Sequence, residues 1–93
     1  MRIIIAAAAY RDLEAIYDYI AVDSPPAAQR TVLFLLHALR PLENFSRLGR
    51  PGMIDGTREL VIDHRFIVVY RIQRELDLVE VIAIAHAARD RKA

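Results

Sequence analysis

Apolar positions in the first 22 residues change from a short continuous run to a helical spacing. Residues 2–6 are mostly β-branched and apolar, and the run is too short for a helix, so it predicts a first strand. From Ala8 onward apolar residues recur at offsets of four, seven, eight and eleven, with charged residues between them. This stripe consists of Ala9, Leu13, Ile16, Tyr17 and Ile20. The spacing predicts an amphipathic helix of about 14 residues.

A second helix is predicted to start at the Ser24-Pro25 pair. Ser24 is typical of an N-cap, and Pro25 fits the first helical position, where no N–H is needed. The apolar stripe that follows is Ala28, Val32, Leu35, Leu36 and Leu39. Pro41 removes the bond back to His37, so the helix should stop near Arg40 or kink there. The two helices form a helical hairpin, followed by a turn-rich loop over residues 49–56.

The second half of the chain predicts three strands. Residues 58–62, 66–72 and 78–84 are rich in β-branched residues, and the breaks between them are short enough for hairpins. The order β-α-α-β-β-β predicts one α+β domain over residues 1–93, in two layers. In it the helical hairpin packs on a mostly antiparallel four-stranded sheet that includes the N-terminal strand.

The strand over residues 66–72 is apolar at nearly every position, which predicts that both of its faces are covered. A two-layer domain has helices for only one face of its sheet. The other face should therefore be an uncovered apolar surface that binds a protein.

Composition narrows the class of protein. The chain has 93 residues, of which 55% are hydrophobic and 27% charged, which indicates a globular domain. Its apolar runs are too short for a membrane span and its N-terminus lacks a signal-peptide core, so we expect a cytoplasmic protein without membrane contact. With no cysteine and three scattered histidines, neither a metal site nor another cofactor is expected.

The basic residues are almost all arginine. The net charge is only +1, so direct binding of nucleic acid through bulk charge is not expected. Of the 13 basic residues only Lys92 is a lysine, and arginine suits bidentate recognition of carboxylate or phosphate. Basic residues concentrate at the C-terminus, at Arg89, Arg91 and Lys92, and around the central loop, at Arg47, Arg50 and Arg58.

Six short motifs occur in a characteristic order between about residue 8 and residue 90. They are Asp12-Leu13-x-x-Ile16-x-x-Tyr19-Ile20, Ser24-Pro25-x-Ala27-Ala28, Gly49-Arg50, Thr57-Arg58-Glu59-Leu60, Ile67-Val68-Val69-Tyr70-Arg71 and His86-Ala87-Ala88-Arg89. The series resembles the RelE/ParE toxin superfamily of type II toxin–antitoxin systems. Ser46, where the family often has proline, and Pro41 depart from its pattern.

The resemblance implies a toxin neutralised by a cognate antitoxin, ParD-like or similar, in a hetero-oligomer. It also implies one of two activities: inhibition of DNA gyrase, as in ParE, or ribosome-dependent mRNA cleavage, as in RelE. Ribonucleases of the superfamily usually carry an arginine three residues before the strand tyrosine, where this chain has Ile67. No tyrosine follows Tyr70, and the helices lack lysine. These departures favour a ParE-like gyrase inhibitor that is not an enzyme.

Two alternatives stay open. If the chain is a metal-independent ribonuclease, its catalytic residues are Arg58, Arg65, Tyr70, His86 and Arg89. Three of them also have a structural interpretation: Tyr70 as a core residue with a polar tip, His86 as a structural histidine, and Arg58 beside Glu59 as part of a cross-strand charge pair. The second alternative is an antitoxin-binding module without toxicity.

Two surfaces are predicted to contact partners. The basic C-terminal residues Arg89, Arg91 and Lys92 are the expected target contact. An antitoxin segment with apolar and acidic side chains should lie along the helical hairpin or the open sheet face. The expected antitoxin contacts are Leu13, Ile16, Ile20, Val32, Leu36, Arg58 and Arg71.

Overall fold

The computed structural model describes residues 1–87 and shows helices and strands in the predicted order. The helices are α1 (Ala7–Ala21) and α2 (Pro25–Ala38). A 3₁₀ turn at Arg40–Glu43 follows α2, and a second at Arg74–Leu76 joins the last two strands. The strands are β1 (Arg2–Ile5), β2 (Arg50–Pro51), β3 (Thr57–Ile62), β4 (Phe66–Gln73) and β5 (Leu78–His86).

The strands form one mixed sheet in the order β1-β5-β4-β3-β2. β1 runs parallel to β5 at one edge, and the remaining pairs are antiparallel, which confirms the two-layer α+β prediction. The predicted strand number was wrong by one, because β2 lies inside the predicted turn-rich loop. A two-residue strand has no periodicity to detect, and proline is tolerated there because β2 is at the sheet edge.

Both ends of α2 follow the sequence signals. The Ser24 hydroxyl accepts a hydrogen bond from the Ala27 N–H at 3.2 Å, which confirms the predicted N-cap. The helix ends at Ala38, and Pro41 lies in the 3₁₀ turn that begins at Arg40. Within residues 1–87 no helix is long and apolar enough to cross a bilayer.

The hydrophobic core lies between the helical hairpin and one face of the sheet. The buried residues of α1 pack in a single cluster with Leu35 and Leu39 and with inward-facing strand residues. The fully buried members from the sheet are Phe66, Val68, Tyr70, Val79 and Val81. Alternate positions of β4 therefore face the helices, as the period of two requires.

The other sheet face carries the remaining apolar positions. Ile67 and Val69 of β4 are half-buried, while their neighbours Phe66, Val68 and Tyr70 are fully buried. Ile67 lies between Val61 and Ala85 in the register, and Val61 is 43% exposed. Because both helices pack on the opposite face, this outer face is the partly exposed apolar surface that the sequence predicts.

Asp12 ties α1 to β5 by a hydrogen bond across the two layers. Its carboxylate accepts from the Ile84 N–H at 2.8 Å, next to a bulge where Val69 pairs with Ala83 but Tyr70 pairs with Val81. A bulge interrupts the ladder and leaves backbone groups without a strand partner. Asp12 therefore satisfies an N–H group near this irregularity.

Replacing Asp12 should lower stability without changing the fold. Asp12→Ala leaves the Ile84 N–H without its acceptor, and we expect a loss of about 1–3 kcal/mol in the free energy of unfolding, measured by urea denaturation. Asp18→Ala, at an exposed position of the same helix, is the matched control and should change it by less than about 0.5 kcal/mol. Equal stability of both variants would contradict the role given to Asp12.

Candidate functional site

The loop between the first 3₁₀ turn and β3, residues 44–56, is anchored to the core by Tyr70. The Tyr70 side chain is fully buried, and its hydroxyl donates to the Ser46 carbonyl at 2.6 Å. The same hydroxyl accepts from the Gly49 N–H at 2.9 Å. The interpretation of Tyr70 as a core residue with a polar tip is confirmed. Its hydroxyl fixes the loop backbone at both Ser46 and Gly49.

Arg58 anchors the same loop from β3. Its guanidinium donates through Nε to the Gly49 carbonyl at 2.9 Å and through Nη2 to the Arg47 carbonyl at 3.3 Å. The interpretation of Arg58 as part of a charge pair was wrong, since Glu59 binds Arg50 across the β2–β3 ladder at 3.1 Å instead. Arg58 and Glu59 point to opposite sheet faces, because neighbouring residues of a strand alternate.

Gly49 packs directly against β3 and Tyr70. A Cβ at Gly49 would lie 2.6 Å from the Glu59 carbonyl oxygen and 3.0 Å from the Tyr70 ring. At Gly52 a Cβ would clash with Thr57 Oγ1. Glycine in the Gly49-Arg50 motif is therefore explained by close packing of the loop backbone on the sheet.

An arginine-lined cavity of about 320 Å³ opens beside this loop. Arg47, Arg58 and Arg74 line it together with uncharged residues, and no carboxylate is part of its wall. Guanidinium groups in such a setting can bind carboxylate or phosphate. In residues 1–87 no group of three or more His, Asp or Glu side chains could hold a metal ion.

A second, apolar cavity of about 270 Å³ lies between the two helices. Leu13, Val32 and Leu36, three of the expected antitoxin contacts, line it. Tyr10, Glu14 and Tyr17 complete the wall. Tyr10 and Tyr17 were not among the contacts expected from the sequence, and they are 55% and 38% exposed. We call this cavity the hairpin groove.

The other expected antitoxin contacts lie elsewhere. Ile16 is 2% exposed and belongs to the core, so it was wrongly assigned to a surface; Leu13, at 5%, is also mainly a core residue. Ile20 lines a separate depression near the turn between the helices. Arg58 is engaged with the 44–56 loop, and Arg71 is exposed on the outer sheet face.

The candidate catalytic residues fall into two groups, one at the start and one at the middle of β4. Arg58 lies opposite Tyr70 in the register, whereas His86 lies opposite Phe66. Tyr70 lies four positions after Phe66, which corresponds to roughly 13 Å along the strand backbone. The structure therefore does not bring Arg58 and Tyr70 together with His86.

Arg65 lies with His86 at the far end of the sheet. It occupies the β3–β4 turn, binds Asp63 at 2.8 Å and lies 5.4 Å from the centre of the Phe66 ring. The His86 ring stacks on Phe66 at 4.8 Å and meets Tyr19 edge to face at 5.6 Å. Arg89, the last candidate, lies outside the described residues.

The family of the chain follows from comparison with known proteins. The model of the ParE toxin of type II toxin–antitoxin systems, parDE, matches residues 3–91. The chain belongs to the ParE toxin family.

Curated relatives of this ParE-family toxin carry toxin names. The chain is 42% identical to the putative toxin Y4kP of Sinorhizobium fredii over 80 residues, covering 85% of this chain and 80% of the relative. It is 40% identical to toxin RelE2 of Caulobacter vibrioides over 81 residues, covering 87% and 89%. The chain is therefore a toxin of a type II toxin–antitoxin system, in the ParE/RelE superfamily.

Solved structures share the fold of the ParE-family toxin. The chromosomal ParDE system of P. aeruginosa gives a TM-score of 0.82 at 26% identity, covering 92% of this chain and 95% of the other. The RelBE2 toxin–antitoxin complex of Mycobacterium tuberculosis gives a TM-score of 0.62 at 22% identity, covering 91% and 95%. The second likeness concerns the fold alone.

The expected target contacts of this ParE-family toxin are the C-terminal residues Arg89, Arg91 and Lys92. All three lie outside the described residues.

Removing the Tyr70 hydroxyl should loosen the 44–56 loop. Tyr70→Phe leaves the Ser46 carbonyl and the Gly49 N–H without their partner, and we expect a loss of about 1–3 kcal/mol in the free energy of unfolding. Amide hydrogen exchange at Gly49 should become faster. Tyr17→Phe, which removes a hydroxyl from a partly exposed side chain, is the control. Unchanged stability and exchange in Tyr70→Phe would contradict the anchoring role.

Proposed function

We propose that this toxin inhibits DNA gyrase, acts without catalysing a reaction, and is neutralised by a cognate ParD-like antitoxin. The observation that carries the proposal is the separation of the candidate ribonuclease residues along β4, with Arg58 and Tyr70 at its middle and His86 at its first residue. Acid–base cleavage of RNA needs its groups around one phosphate. The match to the ParE family supports the same choice of branch.

The individual side chains also support a role other than cleavage. The Tyr70 hydroxyl is bound to Ser46 and Gly49, and Arg58 is bound to two loop carbonyls. Ile67 lies half-buried on the outer sheet face, and its alkyl side chain offers no charge to a phosphate. A non-enzymatic inhibitor needs only a complementary surface with a few anchors.

A second candidate is RelE-like mRNA cleavage on the ribosome. The arginine-lined cavity beside Arg47, Arg58 and Arg74 favours it, since guanidinium groups stabilise a phosphate under attack. The relative in Caulobacter vibrioides is named toxin RelE2. Gyrase and ribosomes are both cytoplasmic, so either candidate places the toxin in the cytoplasm.

The antitoxin is proposed to insert an amphipathic helix into the hairpin groove. The groove has an apolar lining, with Leu13, Val32 and Leu36 between the two tyrosines. This is the chemistry that receives the apolar face of a helix. The exposed Arg71 provides a partner for an antitoxin carboxylate on the outer sheet face. The solved structure at 26% identity comes from a toxin–antitoxin system, ParDE.

Two assays on the purified toxin distinguish gyrase inhibition from mRNA cleavage. We expect it to block supercoiling by gyrase and to leave mRNA intact on translating ribosomes. Codon-positioned cuts in mRNA, with gyrase unaffected, would overturn the proposal in favour of the second candidate. A chain that neither arrests growth nor affects either target would be an antitoxin-binding module without toxicity.

A charge in the hairpin groove should weaken the antitoxin complex. Leu36→Glu places a carboxylate where an apolar helix must pack, and we expect the dissociation constant to rise at least about tenfold, or about 1.4 kcal/mol. Leu33→Glu, 58% exposed on the same helix and outside the groove, is the matched control. Isothermal titration with the antitoxin encoded beside the toxin measures both, and equal affinities would argue against the groove.

A further inference from the structure

The 44–56 loop exposes an unusual number of large apolar side chains. Phe45 is 66% exposed, Leu48 54%, Met53 95% and Ile54 68%. Single exposed apolar residues are ordinary, but four within ten residues of one loop are a concentration typical of interaction sites. We call these four side chains the loop patch.

The backbone beneath the loop patch is fixed by the folded domain. Besides the anchors from Tyr70 and Arg58, the Gly52 N–H donates to the Thr57 carbonyl at 2.8 Å. The Thr57 hydroxyl donates to the Ile54 carbonyl at 2.6 Å, on the residue next to Met53. The apolar side chains are therefore held outward before any partner arrives. A surface ordered in advance loses less conformational entropy on binding.

Arginine side chains beside the loop patch outnumber its one acidic neighbour in the 44–56 loop, the exposed Asp55. Arg47, Arg50 and Arg74 are exposed, and only Arg50 of the three is within ion-pair distance of a carboxylate in the part of the chain that the structure describes. Its partner Glu59 is mostly covered, while Arg50 itself stays 60% exposed. A complementary surface is therefore an apolar recess bordered by carboxylates.

We propose that the loop patch inserts into such a recess on the target protein of the toxin. Met53, at 95% exposure, is a protruding side chain, and a protrusion needs a concave partner. A folded protein offers a recess, whereas a single antitoxin helix is convex and matches the concave hairpin groove instead. The inference rests on the proposed function only in taking the target to be a protein.

The double variant Met53→Ser, Ile54→Ser tests the proposal. Both side chains are exposed, so thermal unfolding should stay close to that of the unchanged toxin. We expect the concentration needed to inhibit gyrase supercoiling to rise at least about tenfold, because a few anchor residues carry most of the energy of such contacts. Affinity for the antitoxin should stay within about twofold. Val22→Ser, 84% exposed beside the turn between the helices, is the matched control.

Two results would overturn the inference. One is full gyrase inhibition by the folded double variant; the other is a loss of antitoxin affinity in place of target inhibition, which would assign the loop patch to the antitoxin. Replacing Arg89, Arg91 and Lys92 with alanine in parallel compares the loop patch with the C-terminal residues in one assay.

Growth arrest on induction separates this inference from the proposed function. Cuts in mRNA by the unchanged toxin overturn both. If it arrests growth without affecting gyrase and without cutting mRNA, the gyrase proposal fails alone. The loop patch is then supported if the double variant no longer arrests growth while still folded, and overturned if it arrests growth as before. A chain that causes no arrest overturns both.

Discussion

The hydroxyl of Tyr70 is the contact on which one end of the molecule depends. The ring is part of the core beneath the helices, while its oxygen bonds both to the Ser46 carbonyl and to the Gly49 N–H. The core and the 44–56 loop therefore share one side chain. Because a buried polar group without a partner is costly, the loop is held against the sheet as long as the core is intact. Arg47, Arg50 and the loop patch take their positions from this contact together with the hydrogen bonds from Arg58 and Thr57.

The one-sided helical layer explains why so much apolar surface stays exposed. Two helices cover one face of the sheet, which leaves Val61, Ile67 and Val69 partly exposed on the other face. The hairpin groove and the loop patch add to this. A 93-residue domain buries a smaller fraction of its surface than a larger domain does. A partner that covers its apolar surface therefore stabilises the folded state by mass action. Partner binding and stability are thus linked in this toxin.

Periodicity and turn residues were enough to predict the helices and four of the strands, because these elements depend on residues that are close in sequence. The order of the elements then predicted the two-layer architecture. The two-residue strand at Arg50–Pro51 could not be predicted, since its only signal is its pairing with β3. Convergence of side chains depends on strand register, which placed Arg58 opposite Tyr70 and His86 opposite Phe66. Alternation along β3 alone could have excluded the pairing of Arg58 with Glu59 on one face.

The hydrogen bonds of the arginines, and the side chains beside them, indicate whether the target is a protein or an RNA. Arg58 donates two of its N–H groups to loop carbonyls, so among the arginines lining the cavity Arg47 and Arg74 have the more available guanidinium groups. Single-stranded RNA is usually held by cations along its backbone and by aromatic rings that stack on its bases. In the loop patch only Phe45 has a ring to stack. Leu48, Met53 and Ile54 are aliphatic, and aliphatic side chains beside arginine fit a protein recess edged with carboxylates. The chemistry of this loop therefore favours a protein over RNA.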